Sequence, residues 1–200
     1  MSSASKALTF LLTALTVTLC LAAPTAEAKE VLTFEPESTE ITFQLGATGH
    51  DVEGTLYLRE GELVLDPESG EAAGRLVLDA LRTETGNGSR DKTMHKKVLE
   101  SDRHPLITFD AESFEGALDA GGESEIQLHG VVRLLGQPHA VTLPTRITVD
   151  GDRFQGSTSF PVPYVQWGLH DPSLFVLRVA KEVQVDVAAQ GSAAHVSEQP

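Results

Sequence analysis

Apolar residues return at every second position along almost the whole of this chain, and a period of two marks strands with one face turned to a core. Ile41, Phe43 and Leu45 define a first strand, and Val52, Leu56 and Leu58 a second. After Gly61, Leu63 and Leu65 form a third, and beyond the turn Asp66-Pro67-Glu68-Ser69-Gly70 come Leu76, Leu78 and Ala80. Ile107, Phe109 and Ala111 resume the pattern, followed by Ile126, Leu128, Gly130, Val132 and Leu134. Across Gly136-Gln137-Pro138 the odd positions Val141, Leu143, Ile147 and Val149 answer them, as in a long hairpin. Asp150-Gly151-Asp152 turns into Phe154, Gly156, Thr158 and Phe160, and Val183, Val185 and Val187 mark a last strand after an irregular loop from Pro161 to Pro172. Roughly eight to ten strands with mostly short turns specify an antiparallel barrel or sandwich. A barrel of about eight strands has an interior that side chains fill or that holds one small ligand.

The alternation breaks once, in G-N-G-S-R-D-K-T-M-H-K-K-V-L-E from Gly86 to Glu100. Ser89 predicts an N-cap, Asp91 sits where the helix dipole favours a negative charge, and Lys96 and Lys97 fall near the other end. Met94 and Val98 are four apart, so the apolar face is narrow, and a helix from Ser89 to Leu99 covers one barrel end instead of being buried all round. His104-Pro105 ends it. Gly86-Asn87-Gly88 reads as the turn opening this helix, since it lacks the lysine pattern of a phosphate loop.

The ends of the chain carry different signals. Lys6, an apolar run from Ala7 to Ala23 and Ala26-Glu27-Ala28 predict a secretory signal peptide over residues 1–28, cut after Ala28. The protein is then expected in the periplasm or secreted, as one domain over residues 29–190. From Gly191 to Pro200 the sequence is small and polar and predicts a disordered tail. The only cysteine, Cys20, lies inside the signal, which excludes disulfides and cysteine catalysis from the exported chain. A formal charge of −14 speaks against nucleic acid and anionic membrane surfaces as partners, because both need clustered Lys and Arg.

No reaction is written into the motifs. The seven histidines show no metal-site spacing, although His129 and His139 can face each other across the hairpin, and no metal or other cofactor is expected. There is no G-x-S-x-G elbow. Arg90 and Asp91 read either as a solvated charge and a helix-start carboxylate or as groups at a barrel mouth, where Arg90 can meet a polar or anionic headgroup. Trp167 either plugs a barrel end or lines a ligand entrance.

The segment T-G-N-G-S-R-D-K-T-M-H from Thr85 to His95, with H-P-L-I-T-F from His104, resembles the signature of the YceI-like lipid/polyisoprenoid-binding proteins. L-H-G-V-V-R-L-L-G-Q-P-H-A-V-T-L-P from Leu128, F-Q-G-S-T-S-F-P-V from Phe154 and F-E-P-E-S-T-E-I-T-F from Phe34 extend the resemblance over nearly all of residues 31 to 188. It implies an extended lipocalin-like antiparallel β-barrel with one inserted helix, holding a polyisoprenoid or similar amphiphile. The family motif maps onto Thr85, Arg90, Asp91 and His95.

Combining resemblance with alternation, the expected ligand-binding residues are Phe43, Leu45, Leu56, Leu76, Leu78, Met94, Phe109, Val132, Leu143, Phe154, Phe160 and Trp167, with Arg90, Asp91 and His95 at the mouth. The leading expectation is a non-enzymatic exported carrier without stable membrane insertion; whether two chains pair is left open. One alternative is an exported enzyme on a lipid or small apolar substrate using His95, Asp91 or Asp171. The other is a ligand-free interaction module with a solid core.

Overall fold

A computed structural model describes residues 28–119, 121–173 and 178–196. The strands are β1 (Lys29–Phe34), β2 (Glu40–Leu45), β3 (Val52–Leu65), β4 (Ala72–Glu84), β5 (Leu106–Glu115), β6 (Glu123–Leu134), β7 (Gln137–Asp150), β8 (Arg153–Val162) and β9 (Val183–Val196). All pair antiparallel. β1 and β2 are two halves of one lane: β1 joins the lower part of β3 to the end of β9, and β2 joins the upper part of β3 to the start of β9. A short 3-10 turn, Pro36–Ser38, steps between them. With β3 paired to β4 and each later strand to its successor, eight lanes close into an up-and-down barrel. Closure leaves no long sheet edge with unpaired backbone groups.

One end of the barrel holds the β3–β4, β5–β6 and β7–β8 turns together with the start of β1 and the end of β9. The other holds the β2–β3 turn, the long β4–β5 connection, the β6–β7 turn and the β8–β9 connection. At the first end Leu32, Leu65, Ile126, Val149 and Phe154 pack as a closed floor, each 2 % exposed or less. The outer face carries charge, with Arg75 and Arg133 on Asp110, and Arg146 on Glu123 and Glu125. An apolar inside and a charged outside are the reverse of a membrane-spanning barrel.

Four local expectations are corrected. The stretches around Leu56 and Leu63 are one 14-residue strand, β3. Its pairing with β4 slips between Leu58 and Glu60, a bulge that moves the inward positions from even to odd numbers and mimics a strand break at Gly61. To these the structure adds a strand with no expectation attached, β1 at Lys29–Phe34. The helix cap is Asn87, whose Oδ1 accepts from the backbone N–H groups of Ser89 and Arg90 at 3.1 Å each, and not Ser89. The α-helix, α1, spans only Gly88–Thr93 and widens into a π-turn over Met94–Val98.

The tail is the fourth. Residues 191–196 are the last part of β9, in register with β1 from Phe34↔Gly191 to Lys29↔Val196. Small residues here are a packing solution. A Cβ on Gly191 would stand 2.6 Å from the Phe154 ring and 2.0 Å from the Thr33 carbonyl oxygen, so Phe154 occupies the space that a larger residue would need. Residues 197–200 of the expected tail, and residues 1–27 of the expected signal, lie outside the described residues.

On this seam Glu30, 1 % exposed, pairs with His195. Burial pushes the Glu30 carboxyl above its ordinary value, and His195 partly offsets that. A folded-state value above the unfolded one means stability present below the ordinary Glu value and lost as pH rises through the folded value. The urea midpoint of Glu30→Gln should therefore gain on wild type as pH rises from about 4 to about 7; midpoints running parallel would rule out burial as the dominant effect. Gly191→Val should cost about 3 kcal/mol or more in denaturant unfolding, and truncation after Gln190 should destabilise strongly, whereas a disordered tail would leave the midpoint unchanged.

Candidate ligand-binding cavity and its mouth

Above the floor the inward side chains do not meet. They leave a cavity of about 720 Å³, inside the range of roughly 300 to 1,000 Å³ that small-molecule sites occupy. It runs from Leu32, Leu65 and Phe154 at the closed end to a rim formed by Ala47, His50, Thr85, Asn87, Ser89, Arg90, Thr93, Pro172 and Val179. Every strand contributes to the wall, because each turns one face inward and the sheet wraps fully round.

All twelve apolar positions named from the sequence line this cavity. Phe43, Leu45 and Leu56 come from β2 and β3, Leu76 and Leu78 from β4, and Phe109, Val132, Leu143, Phe154 and Phe160 from β5 to β8. Met94 faces in from the lid turn, and Trp167 from the β8–β9 connection. Alternation identifies the ten that lie on strands, because each faces inward in step with its neighbours, with the change of parity confined to β3 among them.

The three mouth residues separate. Arg90 lines the cavity; Asp91 and His95 are not among the described lining residues. Asp91 accepts hydrogen bonds from the backbone N–H of Thr85 at 2.9 Å and from its hydroxyl. Thr85 in turn accepts from Arg90, with Nε 2.7 Å from its Oγ1 and Nη2 2.7 Å from its carbonyl oxygen. Asp91 thus positions Thr85, and Thr85 aims the Arg90 guanidinium at the rim. His95 Nδ1 lies 2.8 Å from Ser101 Oγ, a fully buried hydroxyl that ties the lid down where the chain turns back toward β5.

The groups considered for catalysis do not converge. Asp171 is held by Lys181 and Ser173, which keep its carboxyl well below the usual carboxylate range. It is absent from the described lining residues, as are Asp91 and His95. His129 and His139 lie on opposite faces of the hairpin: His129 sits outside, opposite Thr142, and His139 opposite Val132, which lines the cavity. Among the described residues no three His, Cys, Asp or Glu side chains gather as for a metal ion.

Several lining residues escaped the sequence. Tyr164 and Leu169, each 5 % exposed, fold the β8–β9 connection into the mouth, and Tyr164 donates its hydroxyl to the Ala180 carbonyl at 2.8 Å. Burial, with the Asp171 charge, pushes the Tyr164 hydroxyl up to about 12. Thr83, Thr108 and Thr158 bring hydroxyls into the wall that have no protein hydrogen-bond partner. Alternation marks such positions as inward, but nothing in it says that threonine there faces a space instead of a neighbour.

A family model for the YceI-like domain matches residues 32–191. The chain belongs to the YceI-like family. A search of the curated proteins finds no match. Among solved structures, YceI-like folds recur at low identity. Burkholderia cenocepacia BcnA superposes with a TM-score of 0.63 at 15 % identity, over 79 % of this chain and 99 % of that one. A polyisoprenoid binding domain from Saccharophagus degradans gives 0.63 at 17 %, over 84 % and 99 %. The Campylobacter jejuni YCEI protein gives 0.50 at 14 %, over 72 % and 82 %. These likenesses show that the barrel is the family's fold.

Two outcomes test this geometry. Thr85→Val should cost about 1 to 3 kcal/mol in chemical unfolding, by leaving Asp91 and Arg90 without their shared partner. Trp167, the chain's single tryptophan, stacks flat on His139, with centroids 4.3 Å apart and planes 2° from parallel. Burial holds His139 below its ordinary value, so it charges only on acidification beyond the usual His range. Trp167 emission should change in a step below about pH 6.5, and His139→Gln should abolish that step.

Proposed function

We propose that the protein is an exported, non-enzymatic carrier that holds a polyisoprenoid or similar long amphiphile with its chain along the barrel and its head at the rim. The observation that carries this is an apolar cavity running from floor to mouth, with polar side chains only sparse on its wall and gathered at its opening. Each ligand methylene removed from water there contributes about 0.8 kcal/mol, so an alkyl or prenyl chain is retained without any reacting group. The description of the Saccharophagus degradans domain as polyisoprenoid binding points to the same ligand class. The family assignment, the Arg90 guanidinium held at the rim without a carboxylate partner among the described residues, and the dispersal of Asp91, His95 and Asp171 all favour carriage over catalysis. The open lumen disfavours a solid interaction module.

Native mass spectrometry of the purified protein, and of delipidated protein mixed with geranylgeraniol or palmitic acid, tests the reading. A bound or addable amphiphile is expected; its absence in both preparations sinks the proposal. Gly156 lines the cavity, and a Cβ there meets nothing closer than 3.7 Å. Gly156→Phe should therefore keep the melting temperature while weakening amphiphile binding by at least about tenfold. Arg90→Gln should weaken palmitate by about tenfold or more while leaving geranylgeraniol nearly unaffected, the loss expected for a hydrogen bond to a charged group.

A further inference from the structure

The overall charge speaks against an anionic surface as a partner, but the cations are not spread evenly. On the barrel wall and at its closed end nearly every Lys and Arg is neutralised: Lys29 by Asp66, Arg75 and Arg133 by Asp110, Arg146 by Glu123 and Glu125, and Arg153 by Glu35. Arg59 on β3 is the exception there, with no carboxylate within ion-pair distance among the described residues. At the mouth, Arg103 and Lys181 pair with Glu100 and Asp171, and Arg82 lies over the Tyr57 ring. The remaining five, Arg90, Lys92, Lys96, Lys97 and Arg178, have no carboxylate within ion-pair distance among the described residues.

Four of those five sit on the lid. From Gly88 to Val98 the chain carries Arg90, Lys92, Lys96 and Lys97 against one carboxylate, Asp91, which is occupied by Thr85. Lys92, Lys96 and Lys97 are exposed. Arg178 stands on the facing side of the same opening, where its carbonyl accepts from Thr48 beside the Ala47–Val179 bridge. Leu81 and Leu106, 52 % and 40 % exposed, lie where the chain leaves β4 for the lid and returns to β5. Their backbones are close, since Ala80 donates to the Pro105 carbonyl at 2.9 Å.

We propose that this lid face docks the barrel mouth onto an anionic phospholipid bilayer, with Lys92, Lys96, Lys97 and Arg178 against the headgroups and Leu81 and Leu106 entering the interface. The charge distribution gives orientation as well as attraction. In a chain with 29 acidic and 15 basic residues, the lid is where cations without a carboxylate partner concentrate, so the pose that presents it is the favoured one, and it is also the pose that opens the cavity toward the lipid. Basic residues near an anionic leaflet act additively and lose their effect beyond a Debye length. The contact is therefore reversible and salt-dependent, with nothing inserted across the bilayer. Asp51, Glu53, Glu84, Asp102 and Glu182, all exposed at this end, limit its strength.

Flotation with phosphatidylcholine vesicles, and with vesicles containing about one third phosphatidylglycerol, tests docking at low and high salt. Wild type should float only with the anionic vesicles, and only at low salt. Lys92→Gln/Lys96→Gln/Lys97→Gln should bind them on the order of a hundredfold more weakly, and Arg59→Gln should bind like wild type. Circular dichroism and the melting temperature establish that each variant is folded. Wild type that ignores anionic vesicles at low salt, or a triple variant that binds as wild type does, overturns the proposal. Docking depends on the rim's charge and not on the lumen's contents, so amphiphile binding by the triple variant in the mass-spectrometric assay reports separately on the carrier reading.

Discussion

Closure of the sheet is the constraint on which everything else depends. In an open sheet of this size two edges would carry unpaired N–H and C=O groups. Here the lane made by β1 and β2 joins β3 to β9, and the backbone is satisfied around the full circumference. Because closure fixes which face of every strand looks inward, one set of alternating side chains is committed to a common interior. The width of that interior follows from eight lanes. What fills it is then a matter of side-chain volume alone, and the answer differs between the two ends.

At the closed end, large residues are matched by small ones. Phe154 packs edge-on against Phe34 at 4.9 Å between centroids, and Gly191 yields the room. Toward the mouth the same alternation supplies leucines, valines, threonines and a few aromatics such as Phe43 and Phe160 that reach inward and leave the lumen open. A floor of packed leucine, isoleucine, valine and phenylalanine side chains beneath a wall that leaves the lumen open produces a blind tube. The lid closes it only partly, because its inward face is limited to a few residues such as Met94, Val98 and Leu99. The π-turn keeps both Met94 and Val98 on the cavity side while the lysines between them point to solvent.

Most of the barrel and nearly all of its apolar wall were legible in the sequence, since period-two alternation reports facing directly. It failed where something displaced the period or hid it. The β3 bulge shifted the inward parity and made one strand look like two. The stretch from Gly191 looked like a tail because its residues are small, and at Gly191 it is Phe154 that holds the volume a side chain would need. Arg90 lines the cavity at its rim, whereas Asp91 and His95 belong to the scaffold behind it: one supports Thr85, the other Ser101. That distinction depends on which of several polar neighbours each side chain meets, and these lie five or six residues away across a turn. Scattered lysines in the sequence likewise gave no warning that those of the lid would stand without a carboxylate within ion-pair distance among the described residues, while most cations of the wall are paired.

The seam between β1 and β9 brings Lys29 and Val196 side by side at the floor, the whole barrel length away from the lid. A short linker there would stitch the two into a single hairpin, and the ring could then be cut at the Asp66–Gly70 turn with the strand order unchanged. Any fusion or immobilising tag attached at this pole leaves the rim facing outward, so a surface-bound barrel would present its aperture to the solution.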